Sequence, residues 1–303
     1  MKPWLTRSFA TIAAVWLASA AFAAECGPDK LGVSRVEKVG TQGGLEVGWK
    51  TYHATLPLAD HEVILTFDDG PDPTYTPQVL DALAAQCVRA TFFAIGAKVD
   101  SAPELAHREA MEGHNVAFHT YTHPQPTLRY MPPEQARADI LKGILAVERA
   151  AYGQTETDLA KLKLHAPFFR FPGFADTADL RDWFAANNIA VFSVDLWASD
   201  WIAMTPDQEL QLILGRLEKA RKGMLLFHDN KPWTAAMLPR FLAELKARGY
   251  RVVHIEAAPG RGETEEAPVG WRSETARSVG AIKPRAETPP SRTSFEVKPA
   301  PLE

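Results

Sequence analysis

Two adjacent carboxylates, Asp68 and Asp69, end the apolar run Val63-Ile64-Leu65-Thr66-Phe67 and lead into Gly70-Pro71. Other runs also end on reactive side chains. Asn115-Val116-Ala117-Phe118 runs into His119, with His123 four residues on, and Phe168-Phe169 runs into Arg170. Val191-Phe192-Ser193-Val194 runs into Asp195, with Asp200 beyond it, and Met224-Leu225-Leu226-Phe227 runs into His228. Histidines at i and i+4 on a helical turn present both imidazoles to one ion. Consecutive residues at a strand end point opposite ways, so one carboxylate can complete a two-His-plus-Asp metal set while the other faces an attacking water. Two histidines and a carboxylate leave open positions for water and substrate, which is the chemistry of metal-assisted hydrolysis. A zinc peptidase of the H-E-x-x-H type is excluded, because Thr120 follows His119.

These residues need a scaffold that brings strand ends together. Short apolar runs bounded by turn residues read as buried strands, here at 63–67, 90–96, 115–119, 168–171, 190–195, 223–229 and 250–255. Helical stretches lie between most of them: one opening at Thr76-Pro77, then 101–112, 132–151, 176–186, 205–222 and 234–248. Thr205 and Gln208 are spaced as a capping box, and Gly249 stands where a C-cap glycine is expected. The alternation predicts an α/β protein with seven parallel strands in a closed or nearly closed barrel; an open doubly wound sheet fits the same pattern. In either arrangement the carboxyl ends of the strands share one face, where sites are built.

The 303 residues suffice for one large α/β domain or two small ones, and the 46% apolar and 23% charged content is ordinary for a globular enzyme. A net charge of −4 gives no case for a nucleic-acid partner. Residues 1–23 read as a secretory signal peptide: basic Lys2 and Arg7, an apolar stretch, and Ala21-Phe22-Ala23 at the cleavage position. Its apolar stretch is shorter than the ~20 residues of a membrane span, so no stable span is expected after cleavage. The protein is then exported, periplasmic or extracellular. Residues 24–60 are expected as an irregular or β-hairpin extension, 61–256 as the catalytic domain, and the Pro-, Glu- and Ser-rich 257–303 as a disordered tail. Cys26 and Cys87 are the only cysteines; they form one disulfide, or Cys87 is a buried free thiol.

Thr66-Phe67-Asp68-Asp69-Gly70 and His119-Thr120-Tyr121-Thr122-His123 together make residues 60–256 resemble the polysaccharide deacetylases, the NodB-homology or carbohydrate esterase family 4 domain. The resemblance implies a distorted (β/α) barrel. It implies Asp68 as general base, Asp69, His119 and His123 as ligands of a divalent cation, and Arg170 as the residue orienting the base. His228 in Leu226-Phe227-His228 becomes the general acid. Asp195 or Asp200, with Trp201, matches the family's fourth motif, and the spacing leaves open which aspartate supports Arg170 or His228. Phe171, Pro172, Gly173 and Tyr121 are expected near substrate, although Gly173-Phe174 inverts the family's usual order after the proline. The implied cofactor is Zn²⁺, with Co²⁺, Mn²⁺ or Ni²⁺ compatible with the same ligands. The implied partner is an acetylated polysaccharide or oligosaccharide, from which the protein removes N-acetyl groups. Two alternatives stay open: an O-acetyl esterase on a xylan-like polymer, and a non-catalytic carbohydrate-binding envelope protein.

Overall fold

The computed structural model describes residues 27–275. The expected signal peptide, Cys26 and residues 276–303 lie outside the described residues. All seven expected strands are present, and each is parallel to its neighbours in the main sheet. They are β4 (Glu62–Asp68), β5 (Thr91–Ala94), β6 (Asn115–Phe118), β7 (Phe168–Phe169), β8 (Ala190–Phe192), β10 (Gly223–His228) and β11 (Arg251–Ala258). β4 is the hub. It pairs with β10 along one edge and with β11 and then β5 along its length. Every residue of β4 is buried, as a parallel strand covered on both faces requires.

The strand faces alternate as a period of two dictates. Val63, Leu65 and Phe67 pack outward with the helix residues Leu80, Ile213 and Phe241. Ile64, Phe93, Ala117, Phe168, Phe192, Met224 and Leu226 form an interior cluster. The covering helices are α1 (Thr76–Ala85), α2 (Gly96–Ser101), α3 (Pro103–Met111), α4 (Pro133–Tyr152), α5 (Ala178–Ala186), α6 (Pro206–Ala220) and α7 (Pro232–Ala247). The result is a distorted (β/α) barrel.

Four expectations need correction. Residues 96–111 carry two helices: α3 is the one expected over 101–112, whereas α2 before it is unexpected. Pro103 sits at the start of the second and disfavours helical geometry at Ala102, whose φ/ψ of −142°/61° marks the break. Thr76 does not cap α1; its hydroxyl donates to Asp229 instead. The sheet has ten strands rather than seven, because the N-terminal extension joins it as neither loop nor hairpin. β1 (Arg35–Gly40) lies parallel along β11, and β2 (Glu46–Val47) lies parallel along β8. The tenth strand, β9 (Leu196–Trp197), pairs with β10, so no direct ladder joins β8 to β10.

The last correction concerns residues 257–275, which are docked rather than the start of a disordered tail. β12 (Glu265–Glu266) pairs antiparallel with β3 (Ala54–Thr55). Trp271 donates its indole N–H to Trp49 O at 2.7 Å, and the Glu274 N–H reaches Lys50 O at 2.9 Å. The expected features that hold are the capping box of α6, with Thr205 and Gln208 both bonded, and Gly249 at φ +74° after α7. Cys87 is disulfide-bonded.

Candidate active site

Asp68, His119, Arg170 and His228 each stand two residues beyond a side chain of the barrel or its interior cluster: Thr66, Ala117, Phe168 and Leu226. Strand alternation therefore aims all four inward at one mouth of the barrel. Arg170 is completely buried. Its guanidinium donates to Asp68 Oδ1 at 2.6 Å, to Thr66 Oγ1 at 2.9 Å and to Ser193 O at 3.1 Å, and it lies 4.0 Å from the Phe93 ring centroid. A bonded guanidinium in this position holds the Asp68 carboxylate in one orientation. Thr66 itself donates to Leu225 O at 2.7 Å, which fixes its lone pairs toward Arg170.

Asp69 follows at φ +74°, a left-handed conformation uncommon outside glycine, asparagine and aspartate. That turn swings its carboxylate away from Asp68 and toward the histidines. Asp69 Oδ1 lies 3.5 Å from His119 Nε2 and 3.4 Å from His123 Nε2, and one donor atom from each residue falls within 4.8 Å of the others. The histidines do not meet on a helical turn as expected. Residues 119–123 form a loop with positive φ at Thr120 (+67°) and His123 (+50°). The loop is held by Asp139, whose carboxylate accepts from Tyr121 N at 3.0 Å and Thr122 Oγ1 at 2.8 Å, and by Thr120 Oγ1, which accepts from His123 N at 3.0 Å. Gly143 in α4 lets the helix touch this loop, since a Cβ there would sit 2.5 Å from the Thr120 carbonyl carbon.

These residues fit a divalent cation. Asp69 Oδ1 is buried without a hydrogen-bond partner among the described residues. His119 donates Nδ1–H to Arg170 O at 2.7 Å, which leaves its Nε2 lone pair free toward Asp69. Burial and the neighbouring His119 lower the His123 pKa, favouring the neutral imidazole that ligation needs. Asp69 is held well below the ordinary carboxylate range: burial opposes its charge, but His119, His228 and His123 outweigh it.

His228 ends β10, with Nε2 3.9 Å from Asp69 Oδ2. Its Nδ1 faces Asp200 Oδ1 at 2.8 Å, and its backbone N–H donates to Asp200 Oδ2 at 2.6 Å. Burial disfavours the imidazolium, but the Asp200 carboxylate more than offsets this and holds the pKa of His228 up at about 9. Of the two aspartates, Asp200 is the one hydrogen-bonded to His228. Asp195 is not brought to the mouth. Its carboxylate accepts from Trp49 N, Thr55 Oγ1 and Met224 N at 2.8–3.0 Å, and Met224 lies four residues before His228 in the same strand.

The expected substrate residues separate. Trp201 is 48% exposed beside His228, with ring centroids 6.2 Å apart. Trp197 lies 5.6 Å from Trp201, and Phe174 lies 6.2 Å from Trp197. Phe171 instead packs in the core against Phe169 and Phe184. Pro172 is buried and Gly173 is exposed in a short 3₁₀ turn whose Phe174 N–H is spent on Phe171 O. Tyr121 is not in the mouth: Lys142 covers its ring at 3.6 Å and its hydroxyl donates to Asp100. Sequence reasoning missed Thr66, Asp139, Gly143 and Lys98, whose Nζ donates to Asp69 O at 2.6 Å. Thr66 was findable as the same-face strand position two before Asp68; the others lie on neighbouring helices with no pattern to connect them to the site.

A polysaccharide deacetylase family model matches residues 56–182. The chitooligosaccharide deacetylase of Sinorhizobium fredii is 32% identical over 201 residues, covering 62% of this chain and 87% of that protein. The peptidoglycan-N-acetylglucosamine deacetylase PgdA of Listeria monocytogenes is 31% identical over 206 residues, covering 65% of this chain but only 39% of its own length. Among solved structures, the Bdellovibrio bacteriovorus peptidoglycan deacetylase Bd3279 superposes with a TM-score of 0.65 at 30% identity, covering 76% of this chain and 61% of that one. Matches of this extent across the domain that carries Asp68, Asp69, His119 and His123 leave one assignment: the chain belongs to the polysaccharide deacetylase family.

Proposed function

We propose that this protein is an exported, metal-dependent hydrolase that removes N-acetyl groups from GlcNAc-containing polysaccharide or oligosaccharide. The observation that carries the reading is the disposition of two proton-transfer groups around one cation-binding cluster. Asp68 Oδ2 lies 4.0 Å from His119 Nε2, and His228 Nε2 lies 3.9 Å from Asp69 Oδ2. Asp69, His119 and His123 would hold the cation, Zn²⁺ being the ion best suited to this donor set. When bound, such a cation supplies Lewis-acid chemistry, polarising an acetyl carbonyl and acidifying water.

The side chains divide the remaining work. Asp68, fixed by Arg170, takes a proton from water as its oxygen attacks the carbonyl carbon. As the C–N bond breaks, His228 delivers a proton to the departing nitrogen, so acetate and a free amine leave. An amide anion is a very poor leaving group, so an acid held protonated at neutral pH matters more for an amide than for an ester. That favours N-deacetylation over the O-acetyl esterase reading. The names of the Listeria and Sinorhizobium relatives support a GlcNAc-containing substrate. The Trp197–Trp201 surface beside His228 offers aromatic faces for sugar rings. No helix among the described residues is long and apolar enough to cross a membrane. Export rests on the Lys2–Ala23 segment.

The test is acetate release by residues 24–303 from chitooligosaccharide, peptidoglycan and acetylated xylan, with and without chelator. Chelator-sensitive release from an N-acetylated glycan, lost in Asp68→Asn, is the expected result. Release from acetylated xylan alone would move the protein to the esterase reading. Release from none of the three would count for the carbohydrate-binding reading.

A further inference from the structure

The hydrogen bonds behind His228 do not stop at Asp200. Asp200 Oδ2 accepts the His228 backbone N–H and also the Thr234 hydroxyl, at 2.9 Å. Thr234 Oγ1 stands 3.0 Å from a second carboxyl oxygen, Oε1 of Glu209. A threonine hydroxyl carries one proton and can donate to only one of these carboxyls. Asp200 already faces the His228 backbone N–H and Nδ1, two donors that stabilise its charged form, so it is the carboxylate suited to that proton. The Thr234–Glu209 contact then joins two oxygens with no hydrogen between them, unless Glu209 brings its own.

Glu209 is in a position to do so. Its side chain is completely buried, and its other oxygen, Oε2, has no partner among the described residues. The titratable groups facing it are the Asp200 carboxylate and, beyond it, the His228 imidazole. Glu209 lies in the first turn of α6, where the helix dipole favours an anion. That preference is small beside the cost of burying a carboxylate with no cation paired to it. Burial, reinforced by the Asp200 charge, pushes the Glu209 carboxyl up to about 8.

We propose that Glu209 is a neutral carboxylic acid that, through Thr234, fixes the Asp200–His228 pair. Glu209 O–H donates to Thr234 Oγ1, Thr234 O–H donates to Asp200 Oδ2, and Asp200 Oδ1 accepts His228 Nδ1–H. The chain runs in one direction only, because each oxygen's proton is already committed. It keeps Nδ1 engaged and Nε2 toward the mouth. Glu209 and Thr234 are positioning residues; neither touches substrate. The inference rests on the reading of His228 as the acid that protonates the leaving nitrogen. Trp233, which donates its indole N–H to Asp200 O at 2.9 Å, holds the same aspartate by its backbone and is independent of this chain.

The experiment uses the full chain in two measurements. Infrared difference spectra across neutral pH should show a protonated-carboxyl C=O band that Glu209→Gln removes. Turnover on chitooligosaccharide should fall roughly tenfold in kcat for Thr234→Val and for Glu209→Ala, with KM within about twofold. Thr234→Ser keeps the hydroxyl and Glu209→Gln keeps a donor to Thr234, so each should recover most of the loss. A merely structural role would give no such rescue by hydrogen-bonding chemistry. A missing carboxyl band, or Thr234→Val with unchanged kcat, overturns the proposal. If the wild type releases acetate from no N-acetylated glycan, the reading of the site falls instead, and the infrared band alone decides the hydrogen-bond chain.

Discussion

Asp195 and Asp200 are five residues apart, and each carboxylate accepts three hydrogen bonds, yet the donors differ in kind. Asp195 collects two backbone N–H groups and the Thr55 hydroxyl, none of which titrates near neutral pH. It pins the N-terminal extension to the start of β10. Asp200 collects a backbone N–H, a hydroxyl and an imidazole nitrogen. The imidazole makes the difference. A carboxylate facing only fixed donors holds chain segments together, whereas one facing a titratable partner also sets when that partner gives up its proton. The number of hydrogen bonds a buried acid accepts therefore says little about its role; the identity of one donor decides it.

The sharpest way to extend the comparison is a third aspartate, Asp69, which faces two histidines and collects no hydrogen bond at Oδ1. Asp69→Ala, or chelation, should lower acetate release by about a thousandfold, with bound metal measured by elemental analysis falling in parallel. Next is Asp200→Asn, expected to lower kcat roughly a hundredfold at neutral pH. The sign of its pH effect follows from the raised pKa. As the proposed acid, His228 must be protonated, so activity is expected below about 9 and lost as pH rises through that value. Without the Asp200 charge the pKa falls toward the ordinary histidine value of about 6.5. The alkaline limb of the kcat profile then moves to lower pH, and an unmoved limb would disconnect Asp200 from His228.

Trp201→Ala should raise KM about three- to tenfold with little change in kcat, because on the proposed reading its exposed ring beside His228 stacks on the sugar and packs little. Asp195→Asn should have the smallest effect on turnover, within about twofold. Its cost appears in stability, about 2 kcal/mol or roughly 4–8 °C in Tm, because an amide N–H₂ would face donors. Reversal of these two aspartate results, with Asp195→Asn inactive and Asp200→Asn merely less stable, would break the comparison.

The same contrast between fixed and irregular backbone explains what the sequence alone conveys. Asp68, His119, Arg170 and His228 are legible because strand alternation carries a side chain two residues beyond an interior position to the same face. The seven long or well-flanked strands are legible for the same reason. Asp69, His123 and Asp200 are not positioned by any period. Asp69 and His123 are themselves left-handed, and Ser199 at φ +64° turns the chain just before Asp200. The two histidines of H-x-x-x-H therefore meet through a loop rather than the expected helical turn. β2, β3 and β12 are two residues each, and all three are stabilised by partners far along the chain, which leaves almost no local signal.

The first strand of the sheet lies against its last long one, with Arg35 opposite Val253 and Gly40 opposite Ala258. Thr41 bridges to Arg261, and Lys50 O accepts from the backbone N–H groups of Glu274 and Thr275. During synthesis, then, β1 has no permanent neighbour until residue 258 has been made. A nascent chain cannot close this sheet early, however many of the central strands have already emerged. Closure of this sheet waits for β11, so a premature stop before β11 would leave β1 with an unsatisfied edge open to other chains.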